Sequence, residues 1–116
     1  MEQLNKIELR GIVGSSRLQT YQGRKVVNFT LATSYVYKNK TGDPVIETTW
    51  HNVNAWEGKN MPDLQQIDKG VRLYVLGRVK NQRYVDSEGV ERTSCEVSAS
   101  QISIIDQTGA MQYEMM

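Results

Sequence analysis

The sequence has one cysteine, Cys95, and one histidine, His51. A lone cysteine cannot close an intramolecular disulfide, and it fits a reducing compartment. One Cys and one His are also too few for a zinc site. No apolar run approaches the ~20 residues needed to cross a bilayer. The opening Met1-Glu2-Gln3-Leu4-Asn5-Lys6 lacks the apolar core of a signal peptide, so a soluble, cytoplasmic protein is expected. Internal repeats and low-complexity blocks are missing. So is any excess of one charge: 14 Lys and Arg against 13 Asp and Glu leave a net +1. Contact with a polyanion would need local clusters of cations. The carboxylates Asp63, Asp68, Asp86, Glu88 and Glu91 lie near expected loops and form no paired-acid pattern for proton transfer. Gly11 and Gly14 are isolated and do not make a phosphate-binding loop. These absences argue against an enzyme, and nothing implies a cofactor or metal.

What is present is a chain of 116 residues, 39% hydrophobic and 23% charged, the size and balance of one globular domain. β-branched and aromatic residues cluster in short runs between turn residues, which predicts a mostly β protein. The expected strands are Lys6–Ser15, Lys25–Tyr37, Glu47–Trp56, Val71–Tyr84 and Arg92–Ile105. Turns are expected at Tyr21-Gln22-Gly23-Arg24, at Lys40-Thr41-Gly42-Asp43-Pro44 and at Asp86-Ser87-Glu88-Gly89, each rich in residues that tolerate tight backbone bends. One short helix is expected within Met61–Ile67, where Pro62 suits a first turn and Leu64 and Ile67 share a face. Five strands with a helix between the third and fourth give the order of an all-β OB-fold barrel.

Side chains alternate between the two faces of a strand. In the third run Thr49, His51, Val53 and Ala55 form the better core face. Trp50, Asn52, Asn54 and Trp56 share the other. Two readings of the tryptophans stay open: rings packed in a core or subunit interface, or a solvent-facing platform, which the neighbouring asparagines favour. Indole stacks on any nucleobase, since every base has a π-face. Tyr35 and Tyr37 beside Lys38 and Lys40, and Tyr84 after Arg78, Lys80 and Arg83, interleave rings with cations as unpaired nucleic acid requires. Strict alternation sets Tyr37 on the face of Phe29 and Leu31, so a bulge or barrel coiling near Thr33–Val36 is needed to turn it outward. His51, on the inner face, reads as a structural or interface histidine rather than a catalytic one. Cys95 alternates with Val97 and Ala99 and reads as core. In the fourth run Tyr74 and Leu76 oppose the Val71, Leu73, Val75 and Val79 set, and need cover from a loop or a neighbouring subunit.

These segments resemble the bacterial single-stranded-DNA-binding protein (SSB) family. Asn5-Lys6-Ile7-Glu8-Leu9-Arg10-Gly11 looks like its opening strand. Asn28-Phe29-Thr30-Leu31-Ala32-Thr33 and Thr49-Trp50-His51-Asn52-Val53 resemble its second and third, and Lys69-Gly70 followed by Leu73-Tyr74-Val75-Leu76-Gly77-Arg78 its fourth. The resemblance implies an OB-fold domain over residues 1–105, with 106–116 as a short C-terminal extension. It implies a protein that coats single-stranded DNA without sequence preference in replication, recombination and repair, usually as a homotetramer. It also implies stacking at Tyr37, Trp50, Trp56 and Tyr84, and phosphate contact at Lys40, Lys59, Lys69, Lys80 and Arg83. Asn52 and Gln82 stand where relatives often carry Arg, which implies fewer phosphate contacts. Relatives usually end in an acidic tip that recruits replication and repair proteins; this sequence reads Ala110-Met111-Gln112-Tyr113-Glu114-Met115-Met116 there. A competing expectation is an OB-fold primosome or recombination accessory protein that acts mainly through protein interactions. A nuclease ranks third, for want of an acid or histidine cluster.

Overall fold

The computed structural model describes residues 2–106. Five strands, β1 (Ile7–Tyr21), β2 (Arg24–Lys38), β3 (Pro44–Trp56), β4 (Arg72–Val85) and β5 (Glu91–Asp106), close into a barrel in the order β1-β2-β3-β5-β4. All neighbours are antiparallel except β3 and β5, which meet in a short parallel pairing at Val53–Val97 and Asn54–Ser98. Closure removes open edges within the barrel itself. The expected extension, residues 107–116, lies outside the described residues.

Alternation fills the interior. Phe29, Leu31, Val53, Ala55, Leu73 and Val75 project inward and are buried, with Leu31 and Leu73 wholly so. Truncating either Leu to Ala removes packing worth ~2–5 kcal/mol. The expected helix contracts to a single 3-10 turn, Leu64–Gln66, after Asp63, whose side chain accepts from the Gln65 amide. A 3-10 turn eclipses residues three apart, so Leu64 and Ile67 enter the core together.

The strands differ from expectation where hydrophobic alternation fades. β1 runs six residues further, to Tyr21, because Ser16–Thr20 pair with β2 although they carry no apolar rhythm. β2 and β3 likewise continue past the barrel as a two-stranded arm, paired without a register break from Val26–Trp56 to Lys38–Pro44. A second arm is formed by the distal halves of β4 and β5. Cys95 lies there, opposite Asn81, and is exposed rather than in the core. The arm has left the barrel, so neither of its faces meets an interior.

Tyr74 and Leu76 do face away from the core, half-buried. The Tyr74 hydroxyl donates to Glu8 Oε2 at 2.9 Å, a bond that raises the phenol's pKa. Leu76 lies in a groove whose wall is the segment Leu4-Asn5-Lys6. That segment is pinned by the Asn5 side chain, which pairs with both backbone groups of Val79. The chain's own N-terminal segment thus supplies part of the cover.

Candidate nucleic-acid interface

The outward row of β3 is the centre of the site. Trp50 is 60% exposed, and its ring lies over Gly14 of β1, where an added Cβ would collide with it. Gly14 is the extra residue of a β-bulge, since Val13 pairs with Leu31 but Ser15 already pairs with Thr30. The bulge and the missing side chain let the indole rest on the barrel wall while its other face meets solvent. Six residues on, ~20 Å along the strand, Trp56 projects from the same face. It is half-buried because the Arg24 guanidinium sits 5.1 Å from its ring centroid and Tyr21 meets it edge-on at 6.3 Å. Beside the row, next to Asn52, lies a recess of about 260 Å³ lined by Ser15, Asn28, Thr30, Asn52, Ser94 and Glu96 together with Phe29 and Val53. Asn54 donates to Asn28 at 3.0 Å beside it. The inward row is core at Val53 and Ala55. His51, at the mouth of the barrel, hydrogen-bonds Thr33 at 2.9 Å through Nε2, and burial holds its pKa below the ordinary value.

The other candidate residues are spread over the two arms and the loops. Tyr37 is exposed, but no bulge turns it outward: β2 pairs with β3 without interruption, and exposure comes from the arm leaving the barrel. Tyr37 and Tyr35 stack with centroids 6.1 Å apart on the face that continues the inward row, opposite to that of Trp50. Lys40 is exposed in the turn at the tip of the arm, where Asn39 Oδ1 accepts from the amides of Thr41 and Asp43. Tyr84 is exposed on the second arm. That arm's turn is held by Asp86, which accepts from the Glu88 and Val90 amides and from Arg92 Nε at 2.6 Å. Lys59 is exposed in the loop after β3, and Lys69 in the loop before β4.

Two of the expected phosphate-binding cations already hold carboxylates. Lys80 pairs with Glu96 at 3.3 Å and Arg83 with Glu91 at 3.6 Å. The second pair is highly exposed and worth little. The first is partly buried and belongs to a cluster: with its amide nitrogen turned to the carboxylate, Gln82 donates to both Glu96 oxygens at 2.9 and 3.2 Å. An acidic group thus faces the recess beside Asn52. Sequence reasoning missed Glu96, Tyr21 and Arg24. The register that sets Lys80 opposite Glu96 is not readable from one strand, and the residues flanking Gln22-Gly23 gave only a turn signal.

A closed five-stranded barrel with an exposed Trp50 and a half-buried Trp56 in one row of β3, polar groups between them and cations on protruding arms defines an OB-fold nucleic-acid-binding protein. The single-strand binding protein family matches residues 4–105, and the chain belongs to that family, whose members bind DNA and are not enzymes. The Neisseria meningitidis single-stranded DNA-binding protein is 30% identical over 117 residues, covering 96% of this chain and 67% of that one. Single-stranded DNA-binding protein 1 of Chlorobaculum tepidum is 35% identical over 107 residues, covering 88% and 65%. The chain spans about two-thirds of the length of these relatives. A solved Plasmodium falciparum SSB complex with ssDNA superposes with a TM-score of 0.76 at 25% identity, over 91% of this chain and 98% of that one.

Proposed function

We propose that residues 1–105 coat single-stranded DNA without sequence preference, by stacking on Tyr37, Trp50, Trp56 and Tyr84 and by phosphate contact at Lys40, Lys59, Lys69, Lys80 and Arg83. The setting is replication, recombination and repair in a bacterial cytoplasm, and the acting form is a homotetramer. The observation that carries this reading is the Trp50 ring, open to solvent on one face and seated over the Gly14 bulge on the other. A core tryptophan has no such open face, and a base stacks on it whatever its identity. Family membership and the likeness to a structure solved with ssDNA support the same ligand. Titration with oligo(dT), followed by tryptophan fluorescence and competed with duplex DNA, tests the reading. Quenching by the oligonucleotide that duplex fails to reverse is expected. Equal affinity for duplex would overturn it.

A further inference from the structure

Resting on that reading, we propose that the recess beside Asn52 reads one base within an otherwise sequence-tolerant groove, and that the Glu96 carboxylate there selects guanine. Among the described residues β3 and β5 pair at Val53–Val97 and Asn54–Ser98 alone. One residue back along both strands stand Asn52 and Glu96, where the two arms part. The recess lies at that fork, with buried Phe29 and Val53 as its apolar part. Thr30 Oγ1 and the Trp50 ring both crowd the Cβ position of Gly14, so the recess, which Thr30 also lines, opens beside the exposed indole. A water needs only ~10–15 Å³, so about 260 Å³ has room for a base.

The free polar groups of the recess suit one base. Lys80 lies 3.3 Å from Glu96, and Gln82, its amide nitrogen turned to the carboxylate, donates to both oxygens. Both partners come from β4, and neither lines the recess. A carboxylate has about four lone-pair sites, so acceptor capacity is left on the recess side. Ser15, Thr30 and Asn28 are hydrogen-bonded to neighbours. Among the described residues the side chains of Asn52 and Ser94 have no such partner. What remains free is a pair of acceptor oxygens with an amide donor nearby. The Watson–Crick edge of guanine carries two adjacent donors, N1–H and the N2 amino group, next to the O6 acceptor. Both donors can meet the carboxylate, which leaves O6 for the Asn52 amide. Thymine has a carbonyl oxygen on each side of its single donor, and both repel a carboxylate. Cytosine and adenine offer one amino group next to a bare ring nitrogen. Toward these bases and the backbone, Glu96 is an anion in the groove of a polyanion; guanine alone makes it a two-bond, charge-assisted partner. The rings stack on every base, so the rest of the groove stays indifferent to sequence.

A carboxylate that only holds Lys80 is distinguished by base substitution. Oligo(dT), and the same oligonucleotide with isolated thymines replaced, compete with labelled oligo(dT) for the full chain. The replacements are 7-deazaguanine, which keeps the Watson–Crick edge but cannot build guanine quadruplexes, hypoxanthine, which lacks the N2 amino group, cytosine and adenine. Wild type is expected to bind the 7-deazaguanine strand about tenfold more tightly than oligo(dT), the scale of one bidentate base contact, and hypoxanthine to forfeit most of that gain. Glu96→Gln, checked by thermal midpoint, is expected to bind both strands alike. A guanine preference that survives in folded Glu96→Gln, or a wild-type preference for cytosine or adenine, overturns the proposal. If Glu96→Gln does not fold, the wild-type difference between 7-deazaguanine and hypoxanthine decides: equal affinity overturns it. If wild type binds every strand alike, this inference fails and the proposed function stands. If it binds none of them, the proposed function fails with it.

Discussion

Trp50 and Trp56 sit in one row but in different surroundings, and their variants should separate. Trp50 is mostly exposed over Gly14, so Trp50→Ala is expected to weaken oligo(dT) binding by roughly 1–3 kcal/mol, about tenfold to a hundredfold, with little change in thermal midpoint. Trp56 is packed by Arg24 and Tyr21, so Trp56→Ala should lose both affinity and stability. Calorimetric melting and fluorescence titration on the same samples check this, and a Trp50→Ala protein that melts far below wild type while binding normally would contradict it. Glu96 carries the second expectation. Its carboxylate holds Lys80 and faces the recess beside Asn52. Glu96→Gln removes a repulsive charge and frees Lys80 for phosphate, so binding should tighten and the salt slope steepen by about 0.7; weaker binding by a folded variant would show that the carboxylate serves the ligand directly. The face of Trp50 was legible in the sequence because Val53 and Ala55 mark the opposite row. The surroundings of Trp56 were not, because Arg24 reaches it from another strand.

At the scale of elements, legibility follows the core. Strands whose one face enters the barrel announce themselves by alternation, and the residues Phe29, Leu31, Val53 and Ala55 were readable for that reason. Beyond the barrel both faces are wet, the rhythm stops, and Cys95 could not be told from a core residue. Bulges are the other blind spot. β5 slips register against β4 between the Leu76 and Gly77 pairs, so its inward residues change phase from Val97 to Ile102. The arms depend on turn chemistry instead of packing, which makes the second arm acid-sensitive. Arg92, then the Val90 amide, hold the Asp86 carboxyl below its ordinary range. A carboxylate so depressed stabilises the folded turn above the ordinary Asp value, near pH 4, and that contribution is lost as pH falls through the lower folded value. Protection of the Glu88 and Val90 amides, measured against the intrinsic exchange rate at each pH, is therefore expected to fall below about pH 4 while the barrel amides stay protected. In Asp86→Ala the tip should already exchange fast at neutral pH. A tip that stays protected in Asp86→Ala would mean that the β4–β5 ladder holds the arm without its cap.

The whole molecule has almost no net charge, and several of its cations are spent on carboxylates within the chain. Long-range attraction to DNA is therefore weak, and on the proposed stacking mode binding should be less salt-sensitive than that of relatives richer in Arg in matched titrations. Apolar surface is distributed in a way a lone barrel does not need. Val36 and Ile46 are direct cross-strand partners on the first arm, on the face opposite Tyr35 and Tyr37, and are 61% and 68% exposed. Leu4 is also exposed, at the rim of the groove that holds Leu76. Paired apolar side chains on a two-stranded arm gain nothing from their own barrel, and exposed patches of this kind mark contact surfaces. A second copy of the chain can cover them in a symmetric assembly, where one patch meets its equivalent. Light scattering at micromolar concentration is expected to give a mass close to four times 13.2 kDa. Ile46→Lys places a charge on that exposed pair and should lower the mass; an unchanged mass would show that the assembly does not use the Val36–Ile46 face. A wild-type mass of 13.2 kDa would rule out the oligomer and leave the Val36–Ile46 pair as a surface for DNA or for another protein.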